Sequence, residues 1–273
     1  MSTTADLKIA LLQLDLAWEN PDANMAQIDE HMSDRVVSAG DWDVLVLPEM
    51  WATGFTMQPL KMGIPWRTSF VQTADDWPLP LQAMLRWSRQ HNAAVVGSLS
   101  CHLQDDNRSV NRCVFMTPEG LRGWYDKRHL FRFAGEDDAY SGGKERITLA
   151  WRGWNILLQI CYDLRFPESS RNLQNEPYDV ALYVANWPEV RASAWTTLLP
   201  ARAIENQAYV AGVNRIGVDA NGILHKGLSA IHDPKGHVLA AARAHETQWI
   251  SATLSRLELD QYRERFPVLK DVL

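Results

Sequence analysis

With 273 residues, 46% of them apolar, the chain is globular and long enough to bury a sizeable core. A formal net charge of -6 argues against a basic nucleic-acid surface, and no apolar run reaches the roughly 18 residues of a membrane helix. Three cysteines, an odd count with no CxxC pair, are too few for a disulfide framework, and residues 1–6 lack the basic and apolar regions of a signal peptide; a reducing cytoplasm is the expected setting.

In chain order, residues 7–14 read as a strand buried on both faces. Asn20-Pro21 then opens a segment with helical spacing at Met25, Ile28, Met32 and Val36, closed by Gly40-Asp41. A second buried strand, 44–47, runs into Pro48-Glu49. Residues 50–75, rich in Met, Trp, Gly and Pro, predict a loop over a pocket. Leu81, Leu85 and Ser88 share one helical face, ended by His91-Asn92, and 93–99 is a third strand. Strands 110–116 and 121–125 flank the hairpin signal Thr117-Pro118-Glu119-Gly120. An acidic, Gly-rich loop follows at 135–143. Strands 147–151 and 154–161 pair around Gly153, and Pro167 starts a helix expected to reach about residue 175. Strand 180–185 ends at Asn186-Trp187-Pro188, and 192–207 is a helix. Strands 209–213, 228–232, 237–241 and 248–253 complete the body, and 257–266 predicts a helix reaching out from it. Strands and helices alternate with hairpins between, which favours an α/β sandwich over a plain doubly wound sheet. No low-complexity linker cuts the chain, so one domain over 1–273 is expected, with a C-terminal tail at about 255–273. The segments around strand 7–14 and around Cys161 share an outline that suggests two similar halves.

Glu49, Lys127 and Cys161 each end a run that should be buried or paired. Acyl transfer by a thiol needs such a set. A free thiol, with a pKa near 8.5, is only a few per cent thiolate at neutral pH, so a carboxylate must take its proton. A lysine ammonium can hold the oxyanion of the tetrahedral intermediate, an effect worth about 3–4 kcal/mol per donor. The N–H of Tyr162, just after the thiol, is a natural second donor. Singly, each residue has a plainer reading: Cys161 as core filling, Glu49 as a turn carboxylate, Lys127 as a solvated charge. Cys101 and Cys113 keep the plain reading. The eight histidines show no metal spacing and no HExxH, so no metal or other cofactor is expected. Gly142-Gly143-Lys144 echoes a phosphate loop, but Asp138 stands where its first glycine belongs. The basic stretch Lys127-Arg128-His129 is too short to suggest nucleic acid.

Taken together, the segments resemble the carbon-nitrogen hydrolases of the nitrilase superfamily. Leu47-Pro48-Glu49 is similar to its general-base motif, Tyr125-Asp126-Lys127-Arg128-His129-Leu130-Phe131 to its lysine motif, and Cys161-Tyr162-Asp163-Leu164-Arg165-Phe166-Pro167-Glu168 to its nucleophile elbow. Residues 202–209 resemble the helix and strand that follow there. The resemblance spans about residues 7–254. It implies a four-layer αββα sandwich with the triad at the C-terminal ends of central strands. It also implies a homodimer or higher homo-oligomer, with the helix after Cys161 and the tail as contributors. A second family glutamate is best matched by Glu136, with Asp137 and Asp138 beside it. The lysine motif, the elbow and Tyr183-Val184-Ala185-Asn186-Trp187-Pro188 look like the ω-amidase branch, which hydrolyses the terminal amide of 2-oxoglutaramate and 2-oxosuccinamate. A substrate of that kind needs a cationic site for its distal carboxylate. Arg191 and Arg165 are candidates by position, with Arg165 expected rather to pair with a neighbouring carboxylate as structural support. Tyr162, Asn186, Trp187 and Arg191 form the expected substrate-binding set. The same triad could serve an aliphatic amidase, a nitrilase or a carbamoylase, and the same fold a catalytically silent binding protein. Redox use of Cys161 would need Cys101 or Cys113 nearby in space.

Overall fold

Period-two alternation along the first strand sets the architecture. In strand β1 (Leu7–Gln13), Leu7, Ile9 and Leu11 point into one core while Ala10 and Leu12 enter another. Strand β2 (Val44–Val46) divides the same way, with Val44 and Val46 against Leu45. The sheet built from these strands therefore has two apolar faces. The structure, a computed structural model, describes residues 5–33, 42–67 and 76–271.

The remaining strands are β3 (Ile64–Trp66), β4 (Ala94–Leu103), β5 (Arg108–Thr117), β6 (Gly120–Asp126), β7 (Thr148–Trp151), β8 (Trp154–Ile160), β9 (Val180–Ala185), β10 (Tyr209–Asn214), β11 (Ile216–Val218), β12 (Leu224–Lys226), β13 (Ala230–His232), β14 (Val238–Ala241) and β15 (Gln248–Leu254). One sheet runs β15-β1-β2-β4-β5-β6, with β3 added beside β4; the other runs β14-β13-β10-β9-β8-β7. In the first, β1, β2 and β4 are parallel, flanked by antiparallel β15 and β5. In the second, β8, β9 and β10 are parallel, flanked by antiparallel β7 and β13. Each sheet thus repeats the other's order, and the two similar halves suggested by sequence appear as this shared topology.

The inner faces of both sheets meet in one core, where Ile9, Val46, Phe115, Ile156, Leu158 and Leu182 all lie. Helices α1 (Pro21–Ser33) and α3 (Leu79–His91), labelled with α2 (Pro59–Met62) between them, cover the outer face of the first sheet through Ile28, Met32, Leu81, Met84 and Trp87. Beyond the one-turn helices α4 (Glu136–Ala139) and α5 (Pro167–Ser170), helix α6 (Ala192–Asn206) covers the second sheet with Trp195, Leu199 and Ala203. The order is helix, sheet, sheet, helix, the α/β sandwich expected. The α3 helix stops where expected, with Asn92 left-handed at φ 50°.

Three expectations are corrected. The helix from Pro167 ends at Ser170, because Asn172 is held elsewhere: its N–H donates to Asn206 Oδ1 at 2.8 Å and its side chain donates to the carbonyls of Tyr178 and Asn206, each at 3.0 Å. The tail helix α7 (Arg256–Arg265) docks on the body rather than reaching out, with Leu259 buried and Arg256 and Arg263 both 2.9 Å from Asp179. Hairpin β11–β12 was not expected. The predicted 50–75 loop contains α2 and β3, and its residues 68–75, like Val36, lie outside the described residues.

Candidate active site

Parallel pairing brings the C-terminal ends of β1, β2 and β4 to one edge of their sheet, and β8, β9 and β10 do the same in the other. Ligands bind at such ends in α/β folds. Glu49 lies just past β2, Cys161 directly follows β8, Asn186 directly follows β9, and Lys127 directly follows β6.

Cys161 leaves its strand with φ 45°, a left-handed conformation costing roughly 1–2 kcal/mol for a residue with a Cβ. Residues Cys161–Arg165 then coil into a short 3-10 helix, whose first N–H groups, Tyr162 among them, have no acceptor within the helix. The buried Asp163 carboxylate holds this turn. Its Oδ2 accepts the Ile160 N–H at 2.9 Å and the Tyr125 hydroxyl at 2.8 Å; its Oδ1 accepts the His129 N–H at 3.0 Å and His129 Nδ1 at 2.8 Å. A carboxylate accepts only, so His129 carries its proton on Nδ1. Tyr125 and His129 bracket Lys127, so one side chain ties the lysine strand to the cysteine turn.

Lys127 is buried between two carboxylates. Its Nζ lies 2.8 Å from Glu49 Oε1, and 3.0 and 2.8 Å from Glu136 Oε1 and Oε2. Asn111 Nδ2 donates to the same Oε1 atoms, at 2.8 Å to Glu49 and 3.2 Å to Glu136. The second oxygens are held by main chain: the Asn186 N–H donates to Glu49 Oε2 at 2.8 Å and the Phe131 N–H to Glu136 Oε2 at 2.6 Å. The Cys161 thiol lies within the electrostatic reach of Glu49 and Lys127.

Burial opposes the charge on Lys127, but Glu136 and Glu49 more than offset it and hold the ammonium well above its ordinary value. Burial pushes the Cys161 thiol well up, and the charge of Glu49 adds to that against the pull of Lys127. Glu136 is also raised, by burial first and against the pull of Lys127. The resting state is therefore a protonated thiol beside a charged lysine, and the thiol needs a base at the moment of attack.

The structure brings Glu49, Lys127, Glu136 and Cys161 into one cluster. Of the three neighbouring acids only Glu136 joins it; Asp137 and Asp138 are exposed. Tyr162 packs its ring against Phe131 and Phe166, with centroids 5.0 and 5.2 Å apart. Asn186 binds Glu49 through both its backbone N–H and its side chain. Trp187 is buried, and its Nε1 donates to the carbonyl of Arg191 at 2.8 Å. The Arg191 guanidinium lies over Phe131 and Phe133, 5.3 and 4.8 Å from their centroids, and makes no ion pair among the described residues. Arg165 does not find the expected carboxylate; it lies over the Trp187 ring at 5.1 Å. Cys101 points into the outer core of the first sheet and Cys113 into the central one, both thiols pushed far up by burial, and all three cysteines are free. Among the described residues no cluster of three or more His, Cys, Asp or Glu side chains could hold a metal ion.

Sequence reasoning missed Asn111, Asp163, His129 and Tyr125 as parts of the site. The available signal was polarity within strands: Asn111, with Arg112 after it, interrupts an apolar run, and Asp163 falls inside a turn that had to be buried to hold Cys161.

The carbon-nitrogen hydrolase family model matches residues 8–264. The omega-amidase YafV of Yersinia enterocolitica is 46% identical over 265 residues, covering 97% of this chain and 96% of that protein. The 2-oxoglutaramate amidase of Bacillus subtilis is 31% identical over 265 residues, with the same coverage of 97% and 96%. Among solved structures, a CN-hydrolase superfamily protein from Xanthomonas campestris, with an arsenic adduct in its active site, superposes with a TM-score of 0.89 at 36% identity, covering 98% of both chains. With a match of that extent, and with a buried glutamate, lysine and cysteine gathered at the strand ends of an αββα sandwich, the chain belongs to the carbon-nitrogen hydrolase family of the nitrilase superfamily.

Proposed function

We propose that this protein is an ω-amidase, hydrolysing the terminal amide of small 2-oxo dicarboxylic acid monoamides such as 2-oxoglutaramate and 2-oxosuccinamate to the acid and ammonia. The observation that carries the chemistry is a single buried carboxylate, Glu49, paired with the Lys127 ammonium at 2.8 Å and near enough to the Cys161 thiol for its charge to raise the thiol's proton affinity.

Glu49 takes the thiol proton as the sulfur attacks the amide carbon, so no free thiolate has to accumulate. The carbonyl electrons move to oxygen, where Lys127 and the Tyr162 N–H receive them. Lys127 has three N–H groups, and its contacts to both oxygens of Glu136 can be served by one, leaving another for the oxyanion. Glu49 returns the proton to the departing nitrogen, the C–N bond breaks, and ammonia leaves a thioester on Cys161. Water, deprotonated by Glu49, attacks the thioester; the C–S bond breaks, the acid leaves and the sulfur regains its proton.

The distal carboxylate of the substrate fits Arg191. Its guanidinium has no anionic partner among the described residues, its main chain is fixed by Trp187, and it rests on Phe131, whose ring touches Tyr162 beside the nucleophile. The names borne by the relatives above, omega-amidase and 2-oxoglutaramate amidase, support this substrate class. Leu173, Ile204 and Phe266 are apolar side chains left exposed, which supports a homodimer, measurable by light scattering. A cytoplasmic setting is supported by three unpaired cysteines. No helix among the described residues is long and apolar enough to cross a membrane.

Steady-state ammonia release across 2-oxoglutaramate, glutamine, aliphatic amides and nitriles tests the reading. The highest kcat/KM is expected on 2-oxoglutaramate. A preference for a simple amide or nitrile would overturn the substrate class, and no ammonia from any of them would leave a silent binding protein on the same fold.

A further inference from the structure

We propose that Asn111 is a positioning residue that sets the proton affinity of the Glu49–Glu136 pair, keeping Glu49 free to act as a base near neutral pH. The proposal rests on the reading of Glu49 as general base.

Glu49 Oε1 and Glu136 Oε1 face a common centre. Lys127 Nζ reaches them at 2.8 and 3.0 Å, and Asn111 Nδ2 reaches the same two atoms at 2.8 and 3.2 Å. All four side chains are buried. Two carboxylates share one ammonium, so their charge is half compensated, and each disfavours ionisation of the other. The amide of Asn111 offers two N–H groups, one for each carboxylate. Donation to a carboxylate favours its charged form without adding a charge. Reversing the amide would aim its oxygen at both anions, and as placed that oxygen has no partner among the described residues, so it is the N–H end that the site uses.

Asn111 is also fixed where it stands. It lies within β5, and its carbonyl accepts the Lys127 N–H at 2.9 Å, so one residue sets both the main chain of Lys127 and the oxygens that Lys127 meets. The other groups facing the pair are committed. The Asn186 and Phe131 N–H groups hold the two Oε2 atoms, the Cys161 thiol feels the charge of Glu49 and stays protonated beside it, and the Tyr140 hydroxyl donates to the Thr56 carbonyl at 2.8 Å and contacts Ser100 Oγ at 2.9 Å. Without Asn111 the Oε1 atoms retain Lys127 alone among these, and the pair takes up a proton at higher pH.

The test compares wild type with Asn111→Leu, Asn111→Asp and Asn111→Ser. Two quantities are followed against pH: kcat/KM for 2-oxoglutaramate, and the rate at which iodoacetate alkylates Cys161 with no amide present. In Asn111→Leu the acid limb of both profiles is expected to move up by about one pH unit, a roughly tenfold loss on that limb, with the alkaline plateau much less affected. Asn111→Asp, which adds a third carboxylate, should move it further; Asn111→Ser, which keeps one donor, less. Should the larger substitutions fail to fold by circular dichroism, the serine variant decides. A uniform fall at every pH with the limb unmoved would assign Asn111 a merely structural role and overturn the proposal. Glu49→Gln separates the two readings: if it slows alkylation while the Asn111 variants leave the limb in place, only the proposal fails. If it leaves the alkylation profile unchanged, Glu49 is not the base and both readings fail.

Discussion

Asp163→Asn exchanges one atom and should cost more than most surface deletions. Each Asp163 oxygen accepts one backbone N–H and one side-chain donor: Ile160 N–H and Tyr125 on Oδ2, His129 N–H and Nδ1 on Oδ1. An asparagine can present its oxygen to only one of these pairs. The Tyr125 hydroxyl can rotate and the His129 proton can move to the other ring nitrogen, but neither backbone N–H can become an acceptor. In either orientation one buried N–H therefore faces an NH2 group. An unsatisfied buried donor costs about 1–3 kcal/mol, and the surviving bonds lose their charge assistance, so a total of roughly 2–4 kcal/mol follows. Because the Ile160 bond also holds Cys161 at φ 45°, kcat should fall more than KM rises. Urea denaturation followed by tryptophan fluorescence reads the stability term, and ammonia release the kinetic one. A midpoint within about 0.5 kcal/mol of wild type, with kcat unchanged, would refute the idea that this carboxylate ties the lysine strand to the nucleophile turn.

Cys161→Ala should abolish turnover while leaving the denaturation midpoint near wild type, and quenched wild-type enzyme should carry an acyl mass on the peptide containing Cys161 and none on those of Cys101 or Cys113. Arg191→Gln should raise KM for 2-oxoglutaramate about ten- to a hundredfold while sparing an uncharged amide of similar length; equal loss on both would move distal recognition elsewhere. His225 is pushed down to about 4, by burial first and then by the nearby Arg215 charge. A base whose folded pKa is depressed contributes no penalty above its unfolded value near 6.5; stability falls as pH drops from there to about 4, then levels off. The full loss is about 3 kcal/mol, and His225→Gln should flatten the acid arm of the stability profile by that order; an unchanged acid slope would exclude His225 as its source.

What could be seen in the chain, and what could not, divides along sequence distance. Glu49, Lys127 and Cys161 were legible because each ends its own apolar run, and the position of a residue relative to its own strand is local information. The identity of Glu136 as the acid that meets Lys127 was half legible: a loop beginning Glu136-Asp137-Asp138 offers three acids, and only the αL turn at Gly135, φ 71°, decides which enters the site. Asn111 was not legible, because an asparagine inside a strand acquires meaning only when β2, β4, β5 and β6 lie side by side and carry Glu49 and Glu136 to it, 62 and 25 residues away. The tail shows the same limit in a polar helix. Arg256 and Arg263 read as solvated charge along the sequence, but their spacing of two helical turns puts both on one face, and Asp179, far upstream, accepts both. Long-range polar contacts are set by strand order, and strand order is fixed mainly by apolar burial. The two buried carboxylates therefore inherit their geometry from a core in which they make no apolar contribution, and for that reason a substitution at a supporting polar residue such as Asn111 should change the pH at which the site works before it changes the fold.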